Sequence, residues 1–145
     1  MPTQWSGYDF TRFLDAQAPV YDRVLHELQA GAKQSHWMWY IFPQLDGLGF
    51  SIMSQRFSLS SRDEARAYRD HPRLGSRLAE CTGAALAHAG FLSAHTIFGS
   101  PDDLKFRSSM TLFDAVSEKG SPFERALHHF YDGARDERTL ALLAR

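Results

Sequence analysis

Apolar residues recur at helical spacing from Asp9 onward, with Phe10, Phe13, Leu14, Val20, Tyr21, Val24, Leu25 and Leu28 on one side and Arg12, Asp15, Asp22, Arg23 and Glu27 on the other. The pattern predicts an amphipathic helix broken by Pro19, whose missing amide and fixed ring either end one helix or begin the next. Gly31 supplies the stop. The stretch Ser35–Gly49 follows a different rule: His36, Trp37, Trp39, Tyr40, Ile41 and Phe42 leave no polar face before Pro43 and the Asp46-Gly47-Leu48-Gly49 turn. Read as a helical turn, it sets His36 beside Tyr40 and Trp37 beside Ile41.

Beyond that turn, punctuation defines the elements. A short helix is expected over 51–59, carrying Ile52, Met53 and Phe57. Ser61 and Glu64 have capping-box spacing for a helix ending at Asp70. His71-Pro72 introduces another helix, with Leu74, Leu78, Cys81 and Ala85 on one side, and a further short turn spans 94–98. Ser100-Pro101-Asp102-Asp103 and Ser121-Pro122-Phe123-Glu124 repeat one start signal: a cap, a first-position proline and acids at the positive helix end. A last helix from Asp136 is expected to bury Leu140, Leu142 and Leu143. No run of β-branched residues alternates with polar ones, so the expected fold is all-α, a compact single-domain bundle of roughly seven or eight mostly short helices spanning 1–145. Residues 1–8 are expected to form a loosely ordered N-terminal segment.

Composition narrows the functional classes. The 145 residues are long enough to bury about two-thirds of the unfolded surface without a metal or disulfide. A formal net charge of −1 gives no strong nucleic-acid signal and no attraction to an anionic membrane. Cys81 is the only cysteine, which excludes an internal disulfide. With no signal segment and no apolar run of membrane-spanning length, a cytoplasmic location is expected.

Three groups of residues carry candidate chemistry. His36 with Trp37, Trp39 and Tyr40 offers an imidazole near neutral pKa beside flat stacking surfaces; the competing reading is a buried aromatic cluster. Lys105, Ser108 and Ser109 lie on nearby faces of one helix, where the lysine can meet an anion or simply cover apolar surface with its stem. A Ser-Lys nucleophile is disfavoured, because no oxyanion-binding loop accompanies the pair. Asp102, one turn before Lys105, is a weaker candidate. The third group, Arg62, Arg66, Arg69, Arg73 and Arg77, is interleaved with acids and reads as a solvated, salt-bridged face. No metal site and no cofactor are expected, and Cys81 reads as a buried, inert thiol.

The segments Ser-His-Trp-Met-Trp-Tyr-Ile-Phe-Pro-Gln-Leu, Glu-Ala-Arg-Ala-Tyr, His-Pro-Arg-Leu-Gly-Ser-Arg-Leu and Lys-Phe-Arg-Ser-Ser-Met-Thr-Leu-Phe resemble the family catalogued as domain of unknown function 1810. Some of its members carry a calpastatin-like label, although nothing in this sequence supports protease inhibition. The resemblance implies a predominantly helical bacterial domain and supplies no established reaction. It highlights His36, Trp37, Trp39, Pro43, Gln44, His71, Lys105, Ser108 and Ser109. The joint expectation is an aromatic and polar pocket for a small anionic or nucleotide-like ligand, with His36 and Lys105 sharing a cleft and catalysis as one version of that role. The rival is a noncatalytic helical module for a protein partner or scaffold.

Overall fold

The computed structural model describes residues 7–145, so most of the expected N-terminal segment 1–8 lies outside the described residues. Pro19 separates α1 (Thr11–Gln17) from α2 (Tyr21–Ala30), and Gly31 closes α2 at φ 73°, its amide returning to the Glu27 and Leu28 carbonyls. The aromatic stretch yields only one turn, α3 (Met38–Ile41), before Pro43. Helix α4 (Ile52–Phe57) starts where Ser51 Oγ accepts from the Ser54 amide.

Helices α5 (Arg62–Asp70) and α6 (Pro72–Leu86) follow almost without a linker. Ser61 Oγ accepts from the Glu64 amide at 3.1 Å, while the Glu64 carboxylate reaches past Ser61 to the Ser60 amide at 2.7 Å. Gly75 makes the corner possible, since a Cβ there would lie 1.9 Å from the Arg69 carbonyl oxygen. The chain continues through α7 (Ala94–Phe98), α8 (Asp102–Ala115), α9 (Pro122–Tyr131) and α10 (Glu137–Leu143). Ten helices therefore stand among the described residues, rather than seven or eight, because Pro19 divides the first amphipathic segment in two and the aromatic stretch forms a one-turn helix, α3, of its own. Ser121 and Asp136 cap α9 and α10 as expected, but Ser100 does not cap α8; that position falls to Pro101, which offers no side-chain acceptor.

Helix α8 runs through the core and packs against α5, α7, α9 and α10. Its Phe106 stacks on Phe98 at 4.5 Å and meets Phe42 edge-on at 4.9 Å, while Tyr68 lies between Phe13 and Phe113. Trp37, Met38, Ile41 and Phe42 are all buried, each contributing roughly 1.5–3 kcal/mol. One expected core position is corrected: Leu140 is 42% exposed. In α10 it is Thr139 that is buried, because Asp136 holds it at the helix start.

One short backbone pairing positions the site. Leu45 and Leu59 form an isolated parallel bridge, with the Leu59 amide on the Gln44 carbonyl at 2.9 Å and the Asp46 amide on the Leu59 carbonyl at 2.8 Å. The turn that follows uses Gly47 at φ 102°, a left-handed conformation that side chains resist. No helix of the described residues is long and apolar enough to cross a membrane.

Candidate functional site

A cleft of about 310 Å³ opens between the 44–49 turn, α4, the first half of α8 and the start of α10. Trp39, Leu45, Phe57 and Leu104 supply apolar wall, whereas Lys105, Arg107 and Arg138 bring three cations against one lining carboxylate, Asp136. Such a mixture, mostly apolar with a few convergent polar groups, is the usual form of a small-molecule site.

Lys105 is held by a ring and a carboxylate. Its Nζ stands 3.7 Å from the centroid of the Trp39 ring and 3.5 Å from Asp102 Oδ1. The other Asp102 oxygen lies 2.8 Å from Lys33 Nζ, itself 5.1 Å from the Trp37 ring. One carboxylate divided between two ammonium groups leaves the cluster positive.

Arg107 is half-buried, with its guanidinium carbon 5.7 Å from the Tyr131 ring centroid. Its Nε is buried without a hydrogen-bond partner, and the guanidinium forms no ion pair among the described residues. Burial raises the Tyr131 phenol, which donates to the Asp103 carbonyl and stays neutral. The cleft therefore contains a cation that no carboxylate among the described residues pairs directly.

Asp136 is fixed from several directions. Its amide donates to Thr111 Oγ1 at 2.9 Å, and its Oδ2 accepts from the Thr139 amide at 3.1 Å, the Ser108 hydroxyl at 3.1 Å, and the Thr139 hydroxyl. Ser108 Oγ also lies 3.2 Å from the Leu104 carbonyl, one turn back. With Ser108 turned to Asp136 and Lys105 to Trp39 and Asp102, no Ser-Lys couple forms.

Of the residues expected at one site, the cleft gathers Trp39, Gln44, Lys105 and Ser108, with Asp102 supporting Lys105. His36 is exposed and lines no part of it, so the expected His36–Lys105 cleft does not form. The helical spacing assumed for His36 and Tyr40 fails because α3 begins only at Met38. Tyr40 packs on Phe57 at 5.3 Å, outside the cleft lining, and burial raises its phenol above the usual range.

Trp37 and Ser109 belong to the interior. Trp37 Nε1 donates to Glu27 Oε1 at 2.9 Å, and the same carboxylate takes the Gln34 and Ser35 amides and the Ser35 hydroxyl. Glu27 thus sits buried rather than on the solvent face. Burial opposes its charge, but these four donors prevail and hold the carboxyl down at about 2. Ser109 is fully buried, off the cleft, and its hydroxyl has no hydrogen-bond partner among the described residues. His71 is the α6 cap: its Nδ1 accepts from the Arg73 and Leu74 amides at 3.1 and 3.2 Å. Burial, with Arg73 nearby, lowers the His71 pKa and preserves that acceptor.

Two members of the arginine series, Arg66 and Arg69, form ion pairs, whereas Arg77 turns to a neutral amide. Arg66 meets Asp63 at 3.1 Å, Arg69 meets Asp70 at 3.0 Å, and Arg77 reaches Gln17 Oε1 at 3.2 Å. Sequence reasoning missed Arg107, Arg138 and Asp136 as cleft residues. Arg107 stands inside the Lys-Phe-Arg-Ser-Ser motif between Lys105 and Ser108, which is the signal the sequence offers for it.

The model for "Protein of unknown function (DUF1810)" matches residues 7–143. No curated protein matches the chain. Among solved structures, the chain is similar to the conserved hypothetical protein Rv1873 from Mycobacterium tuberculosis, with 50% identity and a TM-score of 0.91 over 95% of this chain and 98% of that one.

Proposed function

The chain belongs to the DUF1810 family of proteins of unknown function, and we propose that it binds a small organic anion in the cleft that Trp39 and Lys105 help to line. The observation that carries this reading is Arg107, a half-buried cleft cation with no counter-charge among the described residues. Desolvating a charge without a partner is costly, and an incoming anion removes that cost. Lys105 and Arg138 add to the same field, while Leu45, Leu104 and Trp39 suit an apolar or planar body attached to the charged group. Ser108 and Asp136 bind each other, so the role assigned is binding, with no chemical step. A cytoplasmic setting is part of the proposal, supported by a single cysteine that is buried.

A second reading rests on Phe50 and Ile52, each 84% exposed. They lie between the cleft-lining Gly49 and Ser54, and they favour a protein partner at the rim. A thermal-shift series with inorganic phosphate, phenyl phosphate, sugar phosphates and nucleotides separates the two. A ligand at 100 times its Kd stabilises the fold by about 2.7 kcal/mol, and the expected hits are organic phosphates whose effect is lost in the Lys105→Met/Arg107→Met double variant. No shift from any anion would contradict the binding reading.

A further inference from the structure

Asp136 is an anomaly in a cleft otherwise suited to anions. A carboxylate there repels the charge that Lys105, Arg107 and Arg138 attract. Helix capping alone does not require it, since serine caps comparably and would bring no charge. Its hydrogen bonds are also one-sided: the Thr139 amide and hydroxyl and the Ser108 hydroxyl all converge on Oδ2, and no described residue donates to Oδ1. An ionised carboxylate only accepts, so its free oxygen selects for a donor on whatever occupies the cleft.

We infer that Asp136 accepts hydrogen bonds from hydroxyl groups on the cleft's anionic ligand, which makes a sugar-containing phosphate of the nucleotide type the ligand class. This rests on the anion-binding reading above. The parts divide cleanly by chemistry. Phosphate oxygens accept from Arg107, Lys105 and Arg138; sugar hydroxyls donate to Asp136; Gln44, Leu45 and Leu104 line the remainder. The carboxylate is preorganised for this, because Thr111 holds its backbone and Ser108 and Thr139 hold its side chain. A hydroxyl bound to a charged acceptor is discriminated more strongly than one bound to a neutral acceptor, by about tenfold or more in affinity.

The test compares adenosine 5′-monophosphate, its 2′,3′-dideoxy form and phenyl phosphate by titration calorimetry against the native protein and Asp136→Asn. Asparagine caps as well as aspartate, so the variant should fold, and the comparison of the two nucleotides on native protein needs no variant. The expected result is about tenfold or tighter binding of the nucleotide over its dideoxy form, a gap that closes in Asp136→Asn. Phenyl phosphate should bind the variant more tightly than native protein, because the repulsion is gone. Equal binding of the two nucleotides, or a gap unchanged by Asp136→Asn, overturns the inference and leaves anion binding standing if phenyl phosphate still binds. Failure of all three probes to bind at millimolar concentration overturns both.

Discussion

Lys105 holds its ammonium nitrogen 3.7 Å from the centre of the Trp39 ring. The ring and the Asp102 carboxylate fix the charge in place, but Asp102 is shared with Lys33 and neutralises only one of the two lysines. A positioned and incompletely compensated cation at the cleft wall is the feature from which the functional reading grows.

Lys105→Met keeps the apolar stem and removes that charge. Affinity for phenyl phosphate is expected to fall about tenfold, the worth of one hydrogen bond to a charged group. Stability should fall by only ~0.5–2 kcal/mol, the range of a cation–π contact. Calorimetric titration and urea denaturation read the two effects, and unchanged affinity would remove Lys105 from the site.

The two tryptophans should separate by assay. Trp37→Phe leaves Glu27 without its indole donor and is expected to cost roughly 1–3 kcal/mol of stability while phenyl phosphate affinity stays within about twofold. Trp39→Ala is expected to weaken that affinity, since Trp39 lines the cleft. Urea denaturation and titration on both variants check the assignment; the reverse pattern would exchange their roles.

Glu27 predicts an acid-sensitive fold. Its carboxyl is held at about 2 against 4.5 for the free side chain, so the stabilisation is complete above about 4.5 and disappears as pH falls through 2. Each unit is worth about 1.4 kcal/mol, giving a contribution on the order of 3 kcal/mol. Glu27→Gln should therefore be less stable than native protein at pH 7, with the difference narrowing between pH 4.5 and 2. Denaturant midpoints across that range measure it, and a pH-independent gap would contradict the assignment.

Much of this architecture was legible because it is written locally. Gly31, Ser61, Ser121 and Asp136 act on amides or carbonyls within a few residues, so their roles can be read from spacing. The cleft was legible only in part, because it depends on distant packing. Lys105 and Ser108 could be singled out on one helix, but Asp136 joins Ser108 across 28 residues and Trp39 meets Lys105 only once α3 has been placed. Charge was the misleading cue for Glu27: its position on the polar side of the helical pattern suggested solvent, whereas four donors from the 34–37 loop make burial favourable. His36 was misread for a simpler reason, since the turn that would have aligned it starts two residues later.

Cys81 should resist alkylation. It is fully buried and its thiol is pushed up to about 12, chiefly by burial, so little thiolate exists near neutrality. Iodoacetamide at pH 8 is expected to label the native protein far more slowly than the urea-unfolded chain. Comparable rates, followed by mass spectrometry, would show that the α6 face opens readily.

The central claim is that the cleft lined by Trp39, Lys105 and Arg107 is where an organic anion binds, and amide chemical-shift mapping during a phenyl phosphate titration addresses it most directly. Saturable shifts are expected at Leu45–Gly49, Lys105–Ser108 and Asp136–Arg138, with His36 and His71 unaffected. Shifts confined to other surfaces, or none at millimolar phenyl phosphate, would contradict it.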